Sequence, residues 1–412
     1  MRQWMVAAKK ADFYAIAEKF HVDPVVARII RNREVIGEKN IRIYLGGNLS
    51  DLSDPHQMKD MDRLVEILAQ KIRKQVHIRI IGDYDVDGVT SSHLFLTALR
   101  RVGAKVDVVI PHRIQDGYGL SLHLLQQAKE DGVDTILTCD NGIAAIDEIA
   151  WAKAQKMTVL VTDHHAVPFE EHEGRRTEKK SLADAVVNPH QQDCGYPYKE
   201  LCGAGVAWNV IRVLYENYDM DKREAEDLLD FVAMATVCDV MSLTGENRIL
   251  VKEGLKRIRH TKNIGLQALM QACNVQQENI SAYHFGYVLG PCVNATGRLD
   301  TARHALRLFE TGQETEAEEI ARDLVDLNQE RKELTLQGVE MAKKLCEEGG
   351  YENDPVLVLF LPDVHESIAG LIAGRIREMY NRPVFVLTRG EEGVKGSGRS
   401  TENYSMYENM CG

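Results

Sequence analysis

The sequence predicts an α/β protein: a parallel β-sheet flanked by helices, joined by a long helix to a smaller, partial α/β unit. Three observations carry that expectation. Between about residue 75 and residue 190, short Val/Ile/Leu-rich runs (HIRIIGDYD, KVDVVIPHR, VDTILTCDN, MTVLVTDHH, ADAVVNPH) begin about 25 residues apart. Between them lie VTSSHLFLTALRRVG, GLSLHLLQQAKEDG and IAAIDEIAWAKAQK, with apolar residues at helical spacing. Finally, strand-like runs return late in the chain at DPVLVLFLPD, RPVFVLTR and GVKGSGRS, after a stretch with the pattern of long helices.

Strand, helix, strand at this spacing is the βαβ pattern, which places helices over both faces of a parallel sheet. Runs rich in branched apolar residues with little alternation suit strands buried on both sides. Residues 1–74 read as mostly helical, with Ser53 or Asp54 as a cap ahead of the amphipathic stretch MKDMDRLV. The catalytic unit is expected over 75–300, with a helical run from 205 to 280. Linking helices are expected over 301–350 and the second α/β unit over 351–412. The stretch EEHEGRRTEKKSL, residues 170–182, reads as a solvated loop. Neither an internal repeat nor a low-complexity segment interrupts this organisation.

At 412 residues, 44% hydrophobic and 27% charged, the chain has the composition of an ordinary soluble globular protein. No apolar run reaches the roughly 20 residues of a membrane span. The N-terminal stretch is broken by charges every few residues and does not read as a signal peptide. Eight cysteines scattered without C-x-x-C pairs point to reduced thiols in a cytoplasm, without a disulfide framework or a zinc site. A net charge of −12 counts against a broad, sequence-blind nucleic-acid surface, though it leaves room for a narrow basic channel.

The chemistry is concentrated where strands end. IGDYDVDG sets Asp83, Asp85 and Asp87 at every second position; on an extended chain these carboxylates would face one side. Like charges so close disfavour one another's ionisation, and a divalent cation removes that conflict. An EF-hand loop needs a Glu twelve positions from its first Asp; Leu94 stands there, and a strand pattern precedes the loop. The third strand run finishes at Asp140 in CDNG, and the fourth at Asp163, His164 and His165. Asp239 ends the apolar helical run FVAMATVCD. A single Asp after a strand is ordinarily a helix N-cap, but capping does not account for carboxylates and imidazoles at three strand ends. Ligand sites in open α/β sheets lie outside the carboxyl ends of strands. Oxygen donors with imidazole and no thiolate suit Mn²⁺ or Mg²⁺. In this number they can hold two ions, the arrangement of hydrolases acting on phosphate esters or anhydrides.

These motifs resemble the DHH phosphoesterase superfamily, named for the triplet standing here as Asp163-His164-His165. Within it the chain is similar to the RecJ family of single-stranded-DNA-specific 5′→3′ exonucleases. The similarity covers nearly the whole chain, in the family's order: DLSDPHQMKDMDRLV, DYDVDG, PHRIQDGYGLS, CDNGI, TDHH, VVNPHQ, LCGAGVAW, ATVCDV, GPCVNATGR and GSGRS. The resemblance implies a DHH domain followed by a partial DHHA1-type domain. It implies that Asp83, Asp85, Asp87, Asp140, His164 and Asp239 hold two Mn²⁺ or Mg²⁺ ions, with Asp140 bridging. His165 would contact the scissile phosphate, and Asp163 would orient its neighbours. Arg113, Asn294, Arg298, Ser397 and Arg399 would form the pocket for the 5′-terminal phosphate. The implied partners are single-stranded DNA with a 5′ end, a single-strand-binding protein and a helicase, and the implied biology is DNA repair and recombination.

Two departures stand out. Cys292 occupies a position where many relatives carry arginine, which removes a phosphate or structural contact. No GGH triplet occurs, and the chain ends at NMCG about where the approach to that motif begins. A C-terminal truncation lacking the family's OB-fold is therefore expected, with a complete metal centre and a weaker grip on DNA. The rival readings are a DHH phosphodiesterase of short oligoribonucleotides or cyclic dinucleotides, a DHH scaffold without metals, and an inorganic pyrophosphatase. The second needs eroded ligands, and none of the six positions is eroded. The third has a histidine where Asp83 stands.

Overall fold

Strand β1 (Ile78–Ile81) is buried along its whole length, as a strand covered on both faces must be. The computed structural model to which it belongs describes residues 9–411, apart from 114–115, 118, 173–174 and 391–392. Beside β1 lie β2 (Val106–Val109) and β3 (Thr135–Cys139), followed outward by β4 (Thr158–Thr162) and a later strand, Ala185–Val187. All pairings are parallel, and counting that last strand as β7 the order is β2-β1-β3-β4-β7. The chain passes from β1 to one side and then returns to the other. The crevice outside the ends of β1 and β3 is therefore the topological switch point, where open α/β sheets form their sites.

Alternate side chains of β1 enter different cores. Ile78 and Ile80 pack with helices α4 (Met61–Arg73), α5 (Val86–Arg101), α8 (Gly203–Asn217) and α10 (Leu229–Cys238). Ile81 packs on the opposite face with α6 (Leu122–Glu130) and α7 (Ile146–Ala154). Fully buried Phe95, Leu137 and Leu160 stand among these cores, and each such side chain contributes about 1.5–3 kcal/mol. Arg79, on the Ile81 side, is held by Asp107 at 2.7 Å and Asp131 at 2.8 Å.

Ahead of the sheet, α1 (Phe13–Phe20), α2 (Pro24–Asn32) and α3 (Glu38–Gly46) make a small helical cluster around Ile30, Val35 and Ile41. The amphipathic helix α4 is not capped by Ser53 or Asp54. Asp54 caps a single 3₁₀ turn, Pro55–Gln57, and Asp60 precedes α4 in the left-handed region without capping it through its side chain. The expected solvated loop over 170–182 contains instead a two-stranded hairpin, β5 (Phe169–His172) with β6 (Arg175–Glu178). Cross-strand charge pairs such as Glu171 with Arg176 suit two exposed strands that bury little.

The helical run continues through α9 (Lys222–Glu226), α11 (Gly245–Ile258), α12 (Ile264–Ala272) and the single turn α13 (Ala282–His284). A π-helical segment, Phe285–Leu289, leads directly into α14 (Gly290–Leu299). After α15 (Arg303–Glu310), the helix α16 (Glu314–Gly349) extends for 36 residues, about 54 Å at 1.5 Å per residue. Its first half packs on α12 and the core that holds Ile78 and Ile80, and its second half on a separate core. That second core lies under β8 (Leu357–Phe360), β9 (Val384–Gly390) and β10 (Gly393–Arg399), with α17 (Glu366–Tyr380) across it and α18 (Met406–Cys411) at the end. Along β8, Leu357 and Leu359 are buried while Val358 and Phe360 are exposed, so this sheet is covered on one face.

Candidate metal centre

The aspartate run does not continue the strand. After Ile81 the chain turns, and Asp85 becomes the N-cap of α5, its side chain accepting a hydrogen bond from the Gly88 N–H at 3.0 Å. Asp87 then sits in the first helical turn. The three carboxylates converge because the strand-to-helix turn folds them together, not because alternate residues of an extended chain share a side. Gly88 is required here, since a Cβ would meet the Asp83 backbone at 2.5 Å.

Asp140 follows β3 in the left-handed region at φ 62°, six residues before α7, so it is no helix cap. Asp is among the residues that tolerate this conformation, and its N–H stays paired with the Thr162 carbonyl at 3.1 Å. The turn points its carboxylate at the other strand ends. Gly142, at φ 104°, completes the turn where a Cβ would strike the Thr138 hydroxyl.

After β4, Asp163 organises the triplet that bears it. Its Oδ1 accepts from the His164 N–H at 2.7 Å and from His165 Nδ1 at 2.8 Å; its Oδ2 accepts from the Ile143 N–H at 2.9 Å. Burial pushes this carboxyl upward, but the hydrogen bonds and charge of His165 outweigh it and hold Asp163 below the usual carboxylate range. For His165 burial acts downward, and the Asp163 hydrogen bond and charge reverse it, pushing the imidazole up to about 9.

His164 is the point of convergence. Its Nε2 lies 3.0 Å from Asp140, 3.6 Å from Asp87 and 3.7 Å from Asp239. Ligand atoms of three sets lie within 4.8 Å of one another: Asp83, Asp85 and Asp140; Asp87, His164 and Asp239; and Asp140, His164 and His165. Asp140 belongs to two of these sets, as a bridging carboxylate would. All six expected metal positions are therefore brought together, with Asp163 and His165 beside them.

The donors fit divalent cations on grounds internal to the cluster. Asp83 Oδ1 is buried with no hydrogen-bond partner among the described residues. Burial, reinforced by neighbouring aspartates, pushes Asp83 up to about 8 and raises Asp85 and Asp140 as well. Asp239 is likewise pushed up to about 8 by burial and by Asp87 and Asp85. Four carboxylates that resist ionisation together are stabilised as anions once cations stand among them.

The sequence singled out the run LCGAGVAW without a role, and the structure supplies one. The N-terminus of α8 has no side-chain cap, and the Gly203 and Ala204 N–H groups donate to Asp87 at 2.6 and 2.8 Å. A Cβ on Gly203 would come 2.6 Å from that of Asp140. The LCGAG run thus fixes one expected ligand by a helix N-terminus and leaves space for another.

The residues expected to hold an anion gather around Tyr84 and α17. The Arg113 guanidinium stacks 4.8 Å from the Tyr84 ring. Arg298 donates to the Ser367 carbonyl at 2.7 Å, tying α14 to the first turn of α17. One turn on, Gly370 leaves room for Arg399 and Ser397, whose atoms a Cβ there would meet at 2.7 and 3.3 Å. Burial first, then Arg113 and Arg331, push Arg298 down to about 10. Arg331, on α16, is lowered by burial and by Arg375. Neither Arg331 nor Arg375 was marked by the sequence, because both sit in ordinary amphipathic helices. Asn294, expected in the same pocket, has its Oδ1 accepting from the Val86 N–H at 3.1 Å, which ties it to the aspartate loop. Cys292, on the buried side of α14, meets Cys273 at 3.8 Å and Asn328 at 3.4 Å. The run PHRIQDGYGLS lies partly outside the described residues, at 114, 115 and 118.

Sheet, switch point and convergent donors define a phosphoesterase of the DHH class, and the model of the DHH family N-terminal domain matches residues 77–236. A curated single-stranded-DNA-specific exonuclease RecJ of Haemophilus influenzae is 36% identical over 397 residues, covering 93% of this chain and 67% of the relative. The Bacillus subtilis protein of that name is 33% identical, covering 96% and 49%. The chain belongs to the RecJ family. It spans about two thirds of the first relative's length and about half of the second's. A crystal structure of exonuclease RecJ bound to manganese superposes with a TM-score of 0.73 at 32% identity, over 86% of this chain and 85% of the other. RecJ from Thermus thermophilus in complex with Mn²⁺ gives 0.79 at 29% identity, over 97% and 55%. No helix among the described residues is long and apolar enough to cross a membrane.

Proposed function

We propose that this chain is a metal-dependent exonuclease that hydrolyses phosphodiester bonds of single-stranded DNA from the 5′ end and releases 5′-mononucleotides. The observation that carries the reading is Asp140, whose left-handed turn sets its carboxylate in two donor sets at once, with Arg113 and Arg298 close enough to the aspartate loop to feel its charge. Asp83, Asp85, Asp87, Asp140, His164 and Asp239 would hold two Mn²⁺ or Mg²⁺ ions. When bound, such ions activate a water and stabilise the phosphoryl oxygens of an in-line displacement.

The chain's own groups do the rest. Asp163 fixes the His165 ring through Nδ1, and the charged imidazole offers a proton donor to a phosphoryl oxygen of the scissile bond. The α8 N-terminus holds Asp87 against movement. Arg113, Arg298, Ser397 and Arg399 receive the 5′-terminal phosphate; guanidinium forks match phosphate geometry. A pocket for one end of the strand sets polarity, because the bond hydrolysed is the one a fixed distance from that pocket. A cytoplasmic location, with a helicase and a single-strand-binding protein supplying the strand, accords with this reading.

The test is digestion of a 3′-labelled, 5′-phosphorylated single strand with Mn²⁺, Mg²⁺ or chelator, beside a duplex and a diribonucleotide. Metal-dependent, stepwise loss from the 5′ end of the single strand is the expected result. Cleavage of the diribonucleotide alone would replace the proposal with the short-oligonucleotide reading.

A further inference from the structure

We infer that Tyr283 and Tyr287 form a base-stacking platform that grips the DNA strand on the 3′ side of the bond being cleaved. The inference rests on the exonuclease reading for the identity of the strand. Both rings are exposed, at 63% and 73%, yet they stack on each other with centroids 5.1 Å apart and planes 24° from parallel. Large apolar rings held open to solvent in register need a reason. The segment supplies it: Tyr283, Tyr287, Pro291, Asn294 and Arg298 follow at spacings of four, four, three and four residues. That is one helical stripe, and the residues around it, Phe285, Leu289, Cys292, Val293 and Ala295, are buried.

The stripe runs along the metal centre. At its far end Arg298 lies in the arginine pocket, and Asn294 holds the aspartate loop through Val86. Gly297 lets the same helix press against the Tyr84 carbonyl. At the near end the Cys238 thiol, beside Asp239, donates to the Phe285 carbonyl at 3.3 Å, and Gly286 abuts Val237. The tyrosines therefore stand beyond Asp239, about 16 Å along the helix from Arg298 to Tyr287. A strand whose 5′-phosphate lies at Arg298 and whose first phosphodiester lies over the aspartates continues toward them. The π-helical turn Phe285–Leu289 adjusts the phase of the helix there, a distortion that often accompanies functional sites. Stacking is tolerant of sequence because every base has a π-face, as an enzyme that degrades strands of any sequence requires.

The experiment reads stacking and hydrolysis separately. In EDTA, 5′-phosphorylated (dT)20 carrying one 2-aminopurine at successive positions from the 5′ end is titrated with protein, and the fluorescence is followed. With metal, KM is compared for pTpT and for (dT)20. In the wild type, 2-aminopurine beyond the second nucleotide is quenched on binding. Tyr283→Ala/Tyr287→Ala loses that quenching, and the KM advantage of (dT)20 over pTpT shrinks by about 10-fold or more, since base–aromatic stacking is worth roughly 5- to 150-fold per base. Tyr283→Phe/Tyr287→Phe retains both, which excludes a loss of fold. Unchanged quenching and an unchanged KM ratio in the alanine variant would overturn the platform. Quenching that depends on the tyrosines in a wild type that cleaves no strand would sink the exonuclease reading and leave the platform standing.

Discussion

The two walls of the cleft are built on opposite electrostatic and topological plans. One wall gathers carboxylates from the ends of β1 and β3 and from the end of α10, and burial makes their ionisation costly. The other gathers arginines from helices and strands far apart in the chain, and crowding with burial lowers Arg298 to about 10. Each wall alone is destabilised by its own charges. The acidic wall is relieved by cations and the basic wall by a phosphate, so ligands of opposite sign are expected on surfaces a short distance apart. A phosphodiester strand with associated divalent cations supplies both.

The largest expected effect comes from breaking the acidic wall. Asp140→Ala removes the carboxylate common to two donor sets and is expected to cut hydrolysis by about a thousandfold, the scale of losing a group that stabilises transition-state charge. Circular dichroism and the melting temperature of the metal-free protein should be kept or improved, because one repelling buried charge is gone. Activity within a few-fold of wild type would remove Asp140 from the bridging role.

The acidic wall also predicts the direction of a pH effect. Asp83 and Asp239 are raised to about 8 by burial and by neighbouring aspartates, against an unfolded value near 4. A raised folded value favours the protonated form, so their contribution to stability is present below about pH 4 and is lost as pH climbs to about 8. In EDTA, chemical denaturation should show stability falling through this window. Mn²⁺ should flatten the slope. A metal-free stability that rises from pH 5 to pH 8 would contradict the crowding described for this wall.

The two walls differed as much in legibility as in charge. Asp83, Asp85, Asp87, Asp140, Asp163 and His164 were readable because each follows a strand pattern within a few residues, and parallel strands end on one edge of a sheet. Even so, the reason for convergence at Asp83–Asp87 was not the one expected: a strand-to-helix turn replaced the extended run, because Asp85 caps α5. The α8 N-terminus at Gly203 and Ala204 gave no polar signal, since its donors are backbone N–H groups. Arg331 and Arg375 were invisible for another reason. An arginine on an amphipathic helix looks alike whether its face meets water or a second wall, and only the packing of α16 and α17 decides which. The hairpin at Phe169–Glu178 was missed because short, charged strands lack an apolar face.

On the basic wall, Arg298→Gln is expected to raise KM for a 5′-phosphorylated strand roughly 10- to 150-fold, on the scale of about 1.5–3 kcal/mol for a hydrogen bond to a charged group. The same change should matter much less for a 5′-hydroxyl strand. Equal losses on both strands would move Arg298 from the phosphate pocket to a purely structural tie between α14 and Ser367.

Arg331 offers the finest discrimination between a wall that touches the substrate and one that merely shapes the pocket. Its guanidinium donates to Asn328 at 2.9 Å, and that amide donates to Cys292, so a chain of contacts runs from α16 to the position where the resemblance led one to expect arginine. Arg331 therefore stands one residue's contact away from Cys292, which makes it the group to test for a shared role at that position. Arg331→Gln keeps a donor for Asn328 while removing the charge. The expected result is a few-fold rise in KM for the 5′-phosphorylated strand, smaller than for Arg298. The slope of log KM against log salt should become shallower by about 1 only if Arg331 neutralises a phosphate directly. An unchanged slope with a raised KM would mean that Arg331 acts by holding Arg298 in place. Adding Cys292→Arg to Arg331→Gln should then restore binding if the two positions serve one anion, and fail to do so if they do not.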